Sequence, residues 1–98
     1  MKCDIYLENN IYYIEADIPG YKKEDIKVEY NNGNINISAT RKEEDKKYLL
    51  KERKDNNINR HFYFKNINEE LIEAKYEFGV LTISIPKKEE KHNKIEIK

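Results

Sequence analysis

Every second residue is apolar along much of this chain, and that period leaves few ways to fold it. In IYYIEADI, Tyr12, Ile14, Ala16 and Ile18 fall on one side of an extended backbone, while Tyr13, Glu15 and Asp17 fall on the other. DIKVEY repeats the pattern with Ile26, Val28 and Tyr30 opposite Lys27 and Glu29. NINISA sets Ile35, Ile37 and Ala39 against Asn34, Asn36 and Ser38, and LTISI sets Leu81, Ile83 and Ile85 against Thr82 and Ser84. Successive side chains of a strand point to opposite sheet faces, so this alternation marks strands with one dry face. Short strands of that kind bury their apolar rows against a second sheet, and the expected fold class is all-β, a sandwich.

The punctuation agrees. Asn31-Asn32-Gly33-Asn34 separates two strand patterns with residues that tolerate the positive φ of a tight hairpin turn, and Glu8-Asn9-Asn10 separates two more. Pro19-Gly20 stops one strand, since Pro19 has no amide to donate, and Pro86 closes the last.

Charged residues make up 39% of the 98-residue chain, against about 25% in an average globular domain. That raises the question of disorder. Ile, Leu, Val and Phe still total 24 residues and the formal net charge is zero, which together favour one small folded domain with a heavily solvated surface. Zero net charge also argues against a nucleic-acid partner, whose affinity rests on a basic stripe. The single cysteine, Cys3, has no intrachain partner and fits a reducing compartment. No apolar run is long enough for a membrane span and Met1-Lys2-Cys3-Asp4 does not begin a signal peptide, so a cytoplasmic, soluble protein is expected.

Ser38 and Ser84 lie inside strand patterns, and His61 and His92 are far apart, so no nucleophile stands beside a base. Cys3 and the two histidines lack metal-ligand spacing, and the isolated glycines Gly20, Gly33 and Gly79 form no phosphate-cradling loop. No enzyme activity and no cofactor are expected. RHFYF puts an arginine beside aromatics that could stack on bases, but His61 and Tyr63 alternate with Phe62 and Phe64 as a strand with one core face would.

Two stretches leave the reading open. RKEEDKKYLLKERK, residues 41 to 54, is rich in helix formers, and NEELIEAKYEF, residues 68 to 78, offers Asn68 as an N-cap, so propensity alone points to helix at each, against the strand pattern around them.

Several segments, in order, resemble the α-crystallin domain of small heat-shock proteins. EADIPGYKKEDIKVEY resembles its passage from one strand through Pro-Gly into the next, and EAKYEFGVLTISIPK resembles its Gly-Val-Leu strand signature. YLLKERK followed by INRHFYF resembles the Glu-Arg pair and single arginine flanking its middle loop, and the closing IEI matches its Ile-x-Ile motif. The resemblance implies an immunoglobulin-like sandwich of two antiparallel sheets over residues 1–86, followed by a flexible extension, 87–98. It implies a long loop rather than a helix at 41 to 52. That loop would carry an extra strand near Tyr48, Leu50 and Glu52 that crosses to a partner and pairs with its first strand near Ile5 and Leu7. It further implies a helical turn at 68 to 72 with a strand from about Glu73, and Arg60 at the dimer interface among acidic groups. Where the family usually has Leu-Pro, Phe64-Lys65-Asn66 stands here, and that corner is expected to turn differently.

Ile95 and Ile97 are two apart and share a face in an extended segment. Burying both stabilises by about 3–6 kcal/mol gross, much of it offset by ordering the tail, so the contact is exchangeable. By resemblance they plug a groove with Ile26 and Val28 on one wall and Ile72 and Ala74 on the other; an edge strand on their own domain is the alternative. The function implied is an ATP-independent holdase that dimerises and binds unfolding client proteins. An adaptor co-chaperone or a co-assembly module of the same fold is the rival reading. Family members carry tens of residues before the domain, whereas Met1-Lys2-Cys3 leads directly into the first strand, which weighs against large shells and full client capacity.

Overall fold

The computed structural model describes residues 1–41, 46–53, 57–88 and 96–98. Seven strands run in the order β1 (Lys2–Glu8), β2 (Ile11–Asp17), β3 (Ile26–Asn31), β4 (Asn34–Thr40), β5 (Asn57–Tyr63), β6 (Glu73–Glu77) and β7 (Val80–Pro86). They form a four-stranded sheet ordered β1-β2-β7-β6 and a three-stranded sheet ordered β3-β4-β5, all pairs antiparallel. Single turns of 3-10 helix precede β3 (Lys23–Asp25) and β6 (Glu69–Leu71).

The alternating rows become the core. Ile14, Ala16 and Ile18 from β2 and its end, Ile35, Ile37 and Ala39 from β4, and Leu81, Ile83 and Ile85 from β7 are all buried in one cluster. Isoleucine is stiff at χ1 and stacks well on a pleated surface, so these rows interlock with little rotamer entropy left to lose. Register carries the parity across each sheet: Ile14 lies opposite Ile83 and Ile37 opposite Val28. Slipping any central strand by one residue would turn its isoleucines to water.

Three hairpins close with two-residue turns in which both central residues have positive φ: Asn9-Asn10, Asn32-Gly33 and Phe78-Gly79. That geometry matches the twist of the flanking strands. At residues 68–77 tertiary pairing prevails over helix propensity, because Ala74 and Tyr76 lie opposite Ile83 and Leu81 in the ladder. The corner after β5 turns through Asn66 at φ 54, with Phe64 buried and its amide donating to the Gly33 carbonyl at 2.8 Å. Backbone hydrogen bonds continue past β7, Lys87 donating to Asn10 and Lys88 to Asn66. The described residues 46–53 form neither helix nor strand within the chain.

Gly33 sits at φ 86, where a Cβ would come within 2.5 Å of the Tyr63 ring and 3.1 Å of the Phe64 carbonyl oxygen. Gly20 has the same φ, but a Cβ there would meet only the end of Arg41, at 3.7 Å. Both Gly→Ala changes are therefore destabilising, and Gly33→Ala by more, with about 1–3 kcal/mol of strain expected. Urea unfolding of the two variants side by side tests the order; equal losses would contradict it.

Candidate functional site

A four-stranded sheet laid over a three-stranded one leaves part of its inner face without a cover. Here that part is β1. Its inward row, Cys3, Ile5 and Leu7, lies opposite Ala16, Ile14 and Tyr12. Yet Ile5 is 45% and Leu7 51% exposed. Arg60, on β5 opposite Ile37, has inward parity too. Its guanidinium stands 5.0 Å over the Phe62 ring and donates to the Met1 carbonyl at 3.1 Å. The chain thus brings Ile5, Leu7 and Arg60 to one side of the sandwich. Arg60's hydrogen-bond acceptor there is a backbone carbonyl.

The opposite side lies between edge strands β3 and β6. Ile26 and Val28 on β3, and Ile72 just ahead of β6, are half-buried and pack against the core, whereas Ala74 is exposed. The two edges are tied at one end by Tyr76. Its hydroxyl proton is shared between the carbonyls of Ile18 (2.8 Å) and Tyr21 (3.0 Å), in the link leading to β3. Beyond that tie neither strand has a further neighbour among the described residues, and each presents an edge beside half-buried apolar side chains.

Two segments carry apolar side chains left exposed among the described residues. Tyr48, Leu49 and Leu50 are 46%, 106% and 75% exposed, and Glu52 is exposed beside them. Ile97 is 94% exposed, while Ile95 and His92 lie outside the described residues. Three consecutive exposed large apolar residues are unusual on a solvated surface. The family resemblance singled out Tyr48 and Leu50 but not Leu49, nor Leu71 (56% exposed) or Phe78. A phenylalanine ahead of glycine in a two-residue turn, where asparagine is the usual choice, was the legible signal for Phe78.

Elsewhere the chemistry is sparse. Ser38 and Ser84 stand on different sheets, and the outward-facing His61 lies opposite Asn36. Among the described residues no group of His, Cys, Asp and Glu could hold a metal ion. Among them, too, no helix is long and apolar enough to cross a membrane.

The profile of the Hsp20/alpha crystallin family matches residues 4–98. The chain is similar to heat shock protein HSP.16.4 of Streptococcus thermophilus, at 36% identity over 99% of this chain and 72% of the relative. It is similar to the 18 kDa heat shock protein of Clostridium acetobutylicum at 36% identity, over 89% of this chain and 62% of that one. The chain therefore spans less than two thirds of the clostridial relative's length. Among solved structures, a small heat-shock protein from Xylella fastidiosa superimposes with a TM-score of 0.80 at 29% identity, covering 99% of this chain and 94% of that one.

Removing the Tyr76 hydroxyl strips a donor from two partly buried carbonyls and unties β6 from the link into β3. Tyr76→Phe is expected to lower stability by about 1–2 kcal/mol and to speed amide exchange in β3 and β6 ahead of β4 and β7. Hydrogen exchange followed strand by strand checks this; uniform acceleration would contradict it.

Proposed function

Since the chain belongs to the Hsp20/alpha crystallin family, whose members are small heat-shock chaperones and not enzymes, we propose that it is an ATP-independent holdase of the cytoplasm that binds unfolding proteins and limits their aggregation. The observation that carries this reading is the pair of free edges β3 and β6, with half-buried Ile26, Val28 and Ile72 beside them. An extended apolar segment of an unfolding protein can add along such an edge, its backbone satisfying the open ladder and alternate side chains filling the groove.

The same groove takes the tail of the chain. Ile95 and Ile97 act as a detachable plug between a wall of Ile26 and Val28 and a wall of Ile72 and Ala74. The polar stretch 87–94 serves as a tether of roughly 25 Å when extended. A plug held by a small difference between burial and ordering leaves readily when a longer segment arrives.

Dimerisation uses the other side. The loop strand around Tyr48, Leu50 and Glu52 of one copy pairs with the free edge of β1 in its partner and covers Ile5 and Leu7. Charge supports that pairing. Residues 46–53 carry Lys46, Lys47, Lys51 and Arg53 against Glu52 alone, whereas β1 carries Asp4 and Glu8 against Lys2. Opposite potentials steer such encounters and fix their register. In that dimer Arg60 faces carboxylates of the partner, which its planar guanidinium can grip in a two-pronged fork.

Light scattering of a heat-labile enzyme, with this protein added at rising ratios and no nucleotide, tests the holdase. Scattering should fall as the ratio rises, and Ile95→Ala with Ile97→Ala should speed client capture by emptying the groove. Undiminished scattering from folded protein would instead favour the adaptor or co-assembly role. Separately, Leu50→Glu should shift the protein from dimer to monomer by sizing with light scattering, while leaving its β-sheet circular dichroism intact. A dimer that survives that change would remove the exchanged strand from the account.

A further inference from the structure

Phe78 departs from the pattern of this chain in two ways. Its side chain is 101% exposed and its backbone sits at φ 51. Bulky residues rarely adopt that conformation, and asparagine fills the same turn position in the other two hairpins. It stands at the end of a trough on the outer face of the four-stranded sheet, one wall of which is the edge strand β6.

The floor of the trough is the outward row of β7, three small uncharged side chains. Each is flanked by one residue from β2 and one from β6. Ser84 lies between Tyr13 and Glu73, Thr82 between Glu15 and Lys75, and Val80 between Asp17 and Glu77. The cavity over this floor has a volume of ≈ 560 Å³, with Tyr13 and Phe78 among its lining. Its walls stand two strand spacings apart, about 9–10 Å, which admits one extended chain. Glu73 and Glu77 line the cavity and Glu15 and Asp17 flank its floor from β2, against two ammoniums: Lys75, paired to Glu77 at 3.3 Å, and Lys2, opposite Asp17.

We propose that this trough binds an extended cationic polypeptide segment of another protein, with lysine or arginine at every second position. Side chains on one face of such a segment recur at the two-residue spacing of Ser84, Thr82 and Val80, so each cation meets one rung of the walls. Their aliphatic stems lie on the small floor while the charged heads reach the carboxylates. Tyr13 and Phe78 offer ring faces to cations at the two ends. Tyr6 supports the wall from outside: it stacks on Tyr13 at 5.0 Å and its hydroxyl donates to Glu15 Oε1 at 2.8 Å.

Charge selects this occupant over the others. A second copy would present the same acidic face and be repelled, and a nucleic acid would be repelled likewise. The chain's own tail mixes Glu89, Glu90 and Glu96 among its lysines. The exchanged strand of the proposed dimer lies on the far edge of β1, with β2 between it and the trough, and leaves the trough open.

The test is fluorescence anisotropy of a fluorescein-labelled decapeptide alternating lysine and threonine, titrated with the full chain at low and at physiological salt. The lysine peptide should bind about tenfold or more tightly than its glutamate–threonine counterpart, and less tightly as salt rises. Glu73→Lys with Glu77→Lys should weaken binding by about tenfold or more. Phe78→Asn should weaken it several-fold while the melting temperature holds or rises, because asparagine tolerates the turn. This second variant keeps the proposal open to refutation should the charge-reversed one fail to fold. Equal affinity for the two peptides, or unchanged affinity in either folded variant, overturns the proposal. So does equally tight competition by a peptide of residues 87–98, which would give the trough to the tail. A change in oligomeric state on charge reversal, with peptide affinity intact, would give it to a second copy and overturn it as well.

Discussion

The structure depends on a layer of isoleucines held between two sheets. Ile14, Ile18, Ile35, Ile37, Ile83 and Ile85 are at most 1% exposed, and all come from β2, β4 and β7 or their immediate ends. These are the central strands, covered on both flanks by neighbours. Every other strand borders solvent along one edge, so its inward row is only partly dry. The surfaces open to binding partners are therefore the geometric remainder of the same packing that makes the fold. Four strands over three leave Ile5 and Leu7 uncovered, and the opposite side leaves Ile26, Val28 and Ile72 half-covered.

Much of this was legible in the sequence because sheet parity and turn chemistry are local. The inward rows and the Asn-Asn and Asn-Gly turns follow from residues a few positions apart. Other features depend on residues far away in sequence. Strand parity alone puts Arg60, a charge, on the face of Phe62, but nothing local tells that its guanidinium reaches the Met1 carbonyl, fifty-nine residues away. The stretch from Asn68 reads as helix until β7 offers it a ladder. Residues 46–53 are the extreme case: Leu49 and Leu50 stay exposed among the described residues, and only Tyr48 has a neighbour over its ring, Lys51 of the same segment. Resemblance to a family supplied what propensity could not.

A net charge of zero conceals an uneven distribution. The outer face of the four-stranded sheet gathers Asp4, Glu15, Asp17, Glu73 and Glu77 against Lys2 and Lys75, with Asp4 directly opposite Glu15. Like charges across a rung cost stability. Half of the sixteen lysines lie in segment 46–53 and along the tail, the latter mixed with Glu89, Glu90 and Glu96. Such segregation gives the molecule a direction in which partners approach, which the overall balance would not suggest.

The connectivity has a consequence during synthesis. Strand β7 is the hub of the four-stranded sheet, pairing with both β2 and β6, yet its partner β2 lies about seventy residues upstream. The cost of closing so long a loop falls due only when β7 leaves the ribosome. Until then the β1–β2 hairpin holds Ile14 and Ala16 toward water, with half of its sheet still unmade. A protein whose family guards unfolding chains thus begins its own existence as one, waiting on its last strand.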